Sequence, residues 1–105
     1  MNMAFIATRK SFGETLLELG GIDKNIVVLD ADLSASTMSK MFAAEYPERF
    51  FEMGIQEANM IGVGAGLALA GKKPFICSFA CFVTGRYDTI RISVAYSEAP
   101  VRIVG

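Results

Sequence analysis

Ile26-Val27-Val28-Leu29 is an unbroken run of β-branched and aliphatic residues, and a run without polar alternation is the mark of a strand buried on both faces. Strands of that kind belong to parallel sheets, whose crossover helices cover both sides. Phe50–Met53, Phe75–Ser78 and Val101–Val104 repeat the theme as short strands, and no Asn-Gly or Asp-Gly pair joins any two of them into a hairpin.

Helical spacing fills the intervals. Ser11 and Glu14 have the spacing of a capping box, with Thr8 offering a start one turn earlier. Phe12, Leu16 and Leu19 then share a face, and Gly20-Gly21 is expected to end that helix. Ser34 and Ser36 are candidate N-caps of a second helix, with Met38, Met41 and Phe42 turned inward and Pro47 beyond its end. A third helix is expected over Gly54–Ala70, closed by Gly71, and a fourth over about Thr84–Ser97, with Tyr87, Ile90 and Val94 on one side. This alternation predicts the α/β class, a parallel sheet covered by helices, in a single domain over residues 1–105. The last strand stops at Gly105 with no helix to cover it, so the domain is expected to be incomplete at its C-terminus and unstable alone.

Composition narrows the function classes. The chain is 52% hydrophobic and 20% charged, with a mean hydropathy of +0.40, which is apolar for a small chain with a large surface fraction. That excess points to faces covered by a missing part of the domain or by a partner subunit. The formal net charge of -1 carries no block of either sign, which argues against nucleic acid and anionic membrane as partners. Met60–Ala70, the longest apolar run, is too short to span a bilayer. Met1–Lys10 lacks the pattern of a signal peptide, so a cytoplasmic location is expected. Histidine is absent and Cys77 and Cys81 are the only cysteines, which removes His-dependent nucleophilic catalysis and a four-ligand zinc site from within this chain. No metal ligands are predicted here; the cysteines read as reduced thiols.

Ligands of an open parallel sheet bind beyond the carboxyl ends of its strands. Those ends deliver Asp30 and Asp32, then Gly54 to Glu57, then Phe79 and Phe82. Glu57 is a lone carboxylate opening a helix that carries almost no charge from Ala58 to Gly71. Burying it without a partner is costly, although a carboxylate in a first helical turn is also favoured by the helix dipole. Carboxylates beside aromatic faces suit a flat heteroaromatic ligand bonded through a ring nitrogen. Asp30 and Asp32 also fit simple turn formation, and Phe79 and Phe82 also fit ordinary core. Gly62, Gly64 and Gly66 lie inside a helix instead of in a strand-to-helix turn, so they are no dinucleotide fingerprint; they are expected to let the helix pack closely on the sheet or on another helix.

Asp30-Ala31-Asp32-Leu33, Gly54-Ile55-Gln56-Glu57-Ala58-Asn59-Met60, Gly66-Leu67-Ala68-Leu69-Ala70-Gly71-Lys72-Lys73-Pro74 and Ser78-Phe79-Ala80-Cys81-Phe82 together resemble the pyrimidine-binding domain of transketolase, in its order and at its spacing over essentially the whole chain. The resemblance implies a thiamine diphosphate-binding fold and the transfer of a two-carbon ketol group between sugar phosphates. It implies that Glu57 hydrogen-bonds N1′ of the cofactor's aminopyrimidine, favouring the imino tautomer whose 4′ nitrogen takes the proton from thiazolium C2. Phe82 matches the aromatic that stacks on the pyrimidine, with Phe79 beside it. Ile55 belongs to the matching Gly-Ile-x-Glu segment of the cofactor pocket, and Asp32 matches an acidic residue near the cofactor. Arg9 and Ser36 match positions that grip the substrate's phosphate.

The resemblance also has gaps. Nothing here resembles the family's diphosphate site, so Mg2+ and the diphosphate are expected to be held by a separate subunit. Self-association through the pyrimidine domain is implied as well. The family continues past the last strand into a histidine-bearing loop that this sequence does not reach, and Gly85 stands where many relatives have a tyrosine. The start at Met1, close before Arg9, fits the C-terminal subunit of a split transketolase, expected to be inactive alone. Two other readings are the pyrimidine domain of a 1-deoxy-D-xylulose-5-phosphate synthase and a non-catalytic remnant that only binds a partner.

Overall fold

The computed structural model describes residues 8–105, apart from the side chains of Ala80, Thr84 and Tyr96; Met1–Ala7, where no leader pattern was found, lie outside it. Four strands, β1 (Ile26–Asp30), β2 (Phe50–Glu52), β3 (Lys73–Cys77) and β4 (Arg102–Val104), form one sheet in the order β2-β1-β3-β4. Every pair is parallel, with Asp30 opposite Glu52 on one side and Cys77 on the other. The expected α/β architecture is therefore present. The chain steps from β1 to β2 in one direction and then crosses to β3 on the far side of β1. That reversal leaves a crevice between the carboxyl ends of β1 and β3, the place where sheets of this kind take up ligands.

Alternate residues of the central strands face opposite layers. Val27, Leu29 and Ile76 meet Met60 and Ile61 of α4 (Glu57–Leu69), while Ile26, Val28 and Cys77 meet Leu16 and Phe42 from α1 (Thr8–Ile22) and α3 (Lys40–Glu45). All five residues of β1 are buried, as its aliphatic run predicts. β2 departs from expectation. It lies at the sheet edge with Phe51 and Glu52 exposed, so it is not the buried strand its apolar sequence suggested.

Helix boundaries differ in informative ways. Among the described residues α1 spans Thr8–Ile22, so Ser11 lies inside it instead of starting it, and it runs on through Gly20-Gly21. Gly20 belongs inside the helix because Phe42 packs against it: a Cβ there would lie 2.6 Å from the Phe42 ring. The C-terminal end is then gripped from outside. Arg49, in the 3-10 turn Pro47–Arg49, donates to the carbonyls of Gly20 and Asp23 and lies 4.1 Å from the ring centroid of Tyr46.

The single helix expected after β1 is two short ones, α2 (Ser34–Thr37) and α3, separated by Met38 at φ 68°. Neither Ser34 nor Ser36 caps it; the N-cap is Leu33, without a side-chain bond. Asp30 sets this break instead. Its buried carboxylate accepts from the Leu33 N–H at 2.7 Å, the Thr37 hydroxyl at 2.7 Å and the Ser39 hydroxyl at 2.9 Å, wrapping the chain around one side chain.

The region expected as one helix over Thr84–Ser97 is α5 (Ala80–Thr84), a turn α6 (Tyr87–Thr89) and a π-helix over Ile90–Tyr96. Ile90 and Val94 pack against the α4 side of the sheet, whereas Tyr87 is exposed.

The glycines of α4 divide by face. Gly64 lies against the sheet, where a Cβ would come within 2.5 Å of Ile76 Cδ1, while a Cβ at Gly62 or Gly66 would meet nothing within 4 Å. Only the first matches the expected close packing on the sheet. Gly64→Ala should therefore lower stability by about 1–3 kcal/mol through overpacking. Gly66→Ala should raise it by about 0.5–1 kcal/mol through helix propensity. Urea unfolding midpoints of the two variants check the contrast.

Candidate functional site

The carboxyl edge is built around the ends of β1 and β2. Met53 N–H donates to the Asp30 carbonyl at 2.9 Å, carrying the strand pairing one residue past β2. Beyond that point each strand turns sharply, through Asp32 at φ 62° and Gly54 at φ 69°. Both are left-handed conformations, tolerated by glycine and occasionally by Asp. One oxygen ties the two turns together: Glu52 Oε1 accepts from the Asp32 N–H at 2.7 Å and from the Gly54 N–H at 2.9 Å. Gly54 then delivers the chain through exposed Ile55 into α4, whose first residue is Glu57.

Glu57 is 7% exposed, and its carboxylate receives no hydrogen bond from the other described residues. Its place in the first turn of α4 satisfies the helix dipole, and the other described residues take up none of its acceptor capacity. Beyond β3, Phe79 and Phe82 stack with centroids 5.8 Å apart and planes inclined by 17°. Both rings remain about half exposed, at 42% and 46%. They are therefore open faces at the rim, not core.

Beyond the carboxyl ends of β3 and β4, beside the crevice that the strand order predicts, lies a cavity of about 310 Å³ bordered by Cys77, Val104 and Gly105. Arg9 and Phe12 of α1, Ser36 and Thr37 of α2, and Ser78 and Phe79 after β3 are among its lining residues. Arg9 and Ser36, separated by a whole strand in sequence, thus come together. Asp32, Ile55, Glu57 and Phe82 stand outside this lining, toward the β1 and β2 turns and the start of α5. Burial, and then the charge of Asp30, push the Cys77 thiol up to about 12. It stays protonated at neutral pH, in keeping with a structural thiol. Ser78 adds a buried hydroxyl with no hydrogen-bond partner among the described residues.

Sequence reading missed Glu52, Thr37 and Ser78. A carboxylate two residues before a turn glycine is a usable signal for the first. The two hydroxyls carried none, because Ser and Thr near strand and helix ends are ordinary.

The residues present fit an aminopyrimidine. A carboxyl group on a residue only 7% exposed can face a ring nitrogen, and stacked aromatic faces and an exposed isoleucine can enclose a flat ring. Fold and site together define a ligand-binding α/β domain with its chemistry along one sheet edge.

The sequence model of the transketolase pyrimidine-binding domain matches residues 4–105. A putative transketolase C-terminal section from Methanocaldococcus jannaschii is 57% identical over 97 residues, covering 91% of this chain and 31% of that protein. A component of the apulose-4-phosphate transketolase of Phocaeicola vulgatus is 46% identical over 101 residues, covering 95% and 32%. Among solved structures, a split gene transketolase described as an inactive beta4 tetramer superposes with a TM-score of 0.86 at 50% identity, covering 95% of this chain and 34% of that one. This chain belongs to the transketolase pyrimidine-binding domain family. It spans about a third of the length of these relatives.

Proposed function

We propose that this chain is the pyrimidine-binding part of a transketolase that moves a two-carbon ketol group between sugar phosphates. Thiamine diphosphate would lie between this domain and a separate diphosphate-binding subunit that also holds Mg2+, and the assembly would be cytoplasmic. The observation that carries this reading is Glu57, a buried residue whose carboxylate is hydrogen-bonded by none of the other described residues, on the same sheet edge as the stacked, half-exposed Phe79 and Phe82.

When bound, thiamine diphosphate supplies the thiazolium carbon that adds to a ketose carbonyl; the protein orients and tunes it. Glu57 would hold the aminopyrimidine N1′ and carry the proton at that atom. Phe82, with Phe79 beside it, would cover the ring face and exclude water. Ile55 would close the apolar wall and Asp32 would border the cofactor from the β1 turn. Arg9 would grip the substrate phosphate with its guanidinium fork, aided by Ser36 across the cavity. Gly62 and Gly66 leave a bare helix face that agrees with self-association through this domain.

The test is an assay of the chain with its diphosphate-binding subunit, offering either xylulose 5-phosphate as donor with ribose 5-phosphate as acceptor, or pyruvate as donor with glyceraldehyde 3-phosphate as acceptor. Turnover is expected with the ketose phosphate, and none by this chain alone; turnover with pyruvate only would point to deoxyxylulose-phosphate synthesis. In the same assay Arg9→Ala should raise KM for the phosphorylated sugars about tenfold to a hundredfold, the loss of a charge-assisted contact of about 1.5–3 kcal/mol, with a smaller change in kcat.

A further inference from the structure

Glu52 stands outside every role assigned so far. It is an exposed residue at the end of an edge strand, a position where substitution ordinarily changes little. Its Oε1 nevertheless accepts two main-chain N–H groups from different crossovers, Asp32 after β1 and Gly54 after β2. Each donor is itself in the left-handed region, at φ 62° and 69°. A non-glycine residue there costs conformational energy that surrounding contacts must offset.

Both turns lead into residues of the proposed cofactor site. Asp32 is itself one of them. Gly54 precedes Ile55 directly and Glu57 by one short turn, closed by the Gln56 N–H on the Gly54 carbonyl at 2.8 Å. A single carboxylate oxygen therefore fixes the spacing between the β1 turn and the approach to α4. Resting on the cofactor reading above, we infer that Glu52 is a positioning residue for thiamine diphosphate: it touches no part of the cofactor, and it holds Asp32 and the Gly54–Glu57 segment in mutual register so that their side chains meet one aminopyrimidine.

The role depends on an acceptor oxygen at that distance and not on the negative charge. Gln keeps the oxygen and Ala removes it, which separates positioning from electrostatics. Thiamine diphosphate would be titrated, with Mg2+, into the chain assembled with its diphosphate-binding subunit, following quenching of intrinsic fluorescence; amide hydrogen exchange at Asp32 and Gly54 would be read in parallel. Glu52→Ala is expected to weaken cofactor affinity about tenfold, the size of effect that loss of about one net hydrogen bond produces, and to speed exchange at both amides with assembly unchanged. Glu52→Gln should stay within about twofold of the parent.

Unaltered affinity in Glu52→Ala would overturn the inference. So would a Glu52→Gln as weak as Glu52→Ala, because charge would then be the operative property. Failure of Glu52→Ala to assemble would overturn it as well, since the residue would be holding the whole domain. Glu57→Ala run alongside separates the two levels: if it too leaves affinity and turnover intact, the cofactor reading fails, and if it alone is impaired, only the role of Glu52 fails.

Discussion

Glu57→Ala, assembled with the diphosphate-binding subunit, is expected to lose turnover by about 10²–10⁴-fold, the span that a positioned proton-transfer group contributes. Glu57→Gln should lose nearly as much, because an amide keeps the size and one acceptor but cannot carry the proton to N1′. Exchange of the thiazolium C2 proton into D2O, followed by NMR, should slow by a similar factor. The fold should be retained: the carboxylate is hydrogen-bonded to none of the other described residues, so its removal breaks no hydrogen bond among them. A variant of unchanged C2 exchange would show that the burial of Glu57 serves only the helix dipole.

The largest stability loss should come from Asp30. Its carboxylate is fully buried and accepts one main-chain and two hydroxyl hydrogen bonds from the segment between Leu33 and Ser39. Asp30→Ala would leave three donors unmatched inside the protein, an expected loss of about 3–5 kcal/mol once the hydroxyls have turned to other partners. Asp30→Asn should cost less, because it keeps one acceptor oxygen while facing a donor with its amide nitrogen. Thermal unfolding of the assembled protein, parent against both variants, should rank them parent, Asn, Ala. Equal midpoints would mean that the loop after β1 is held by something other than this carboxylate.

These two acids mark what could and could not be read from the chain. Ile26–Leu29 declared a doubly buried parallel strand because continuity of apolar residues is a one-dimensional property, visible without partners. The placing of Asp30, Gly54 and Phe79 at one edge followed from that, since every strand of a parallel sheet ends on the same side. Asp30 as a hub was not legible. Its three donors are residues with no shared periodicity, and the helix break they impose at Met38 goes against a helical spacing that pointed to one continuous element. Gly20 misled for a similar reason: a glycine that would close a helix by its own preferences is retained inside one when a neighbouring aromatic needs the space. The edge position of β2 was hidden because Phe50 and Phe51 look like interior residues. The site residues themselves were nameable from the resemblance and from their strand-end positions. The cavity that joins Arg9 to Ser36 needed the strand order, which local sequence does not contain.

The Arg49 contacts have a wider consequence. At the amino edge of the sheet Arg49 fastens the turn before β2 to the end of α1, and at the carboxyl edge Asp30 fastens the loop after β1. The crossover from Ala31 to Arg49 is therefore clasped at both ends, like a strap with two buckles. Each clasp limits what release of the other can free, so this stretch should come undone as one cooperative unit, and the cavity wall it contributes keeps its shape until it does.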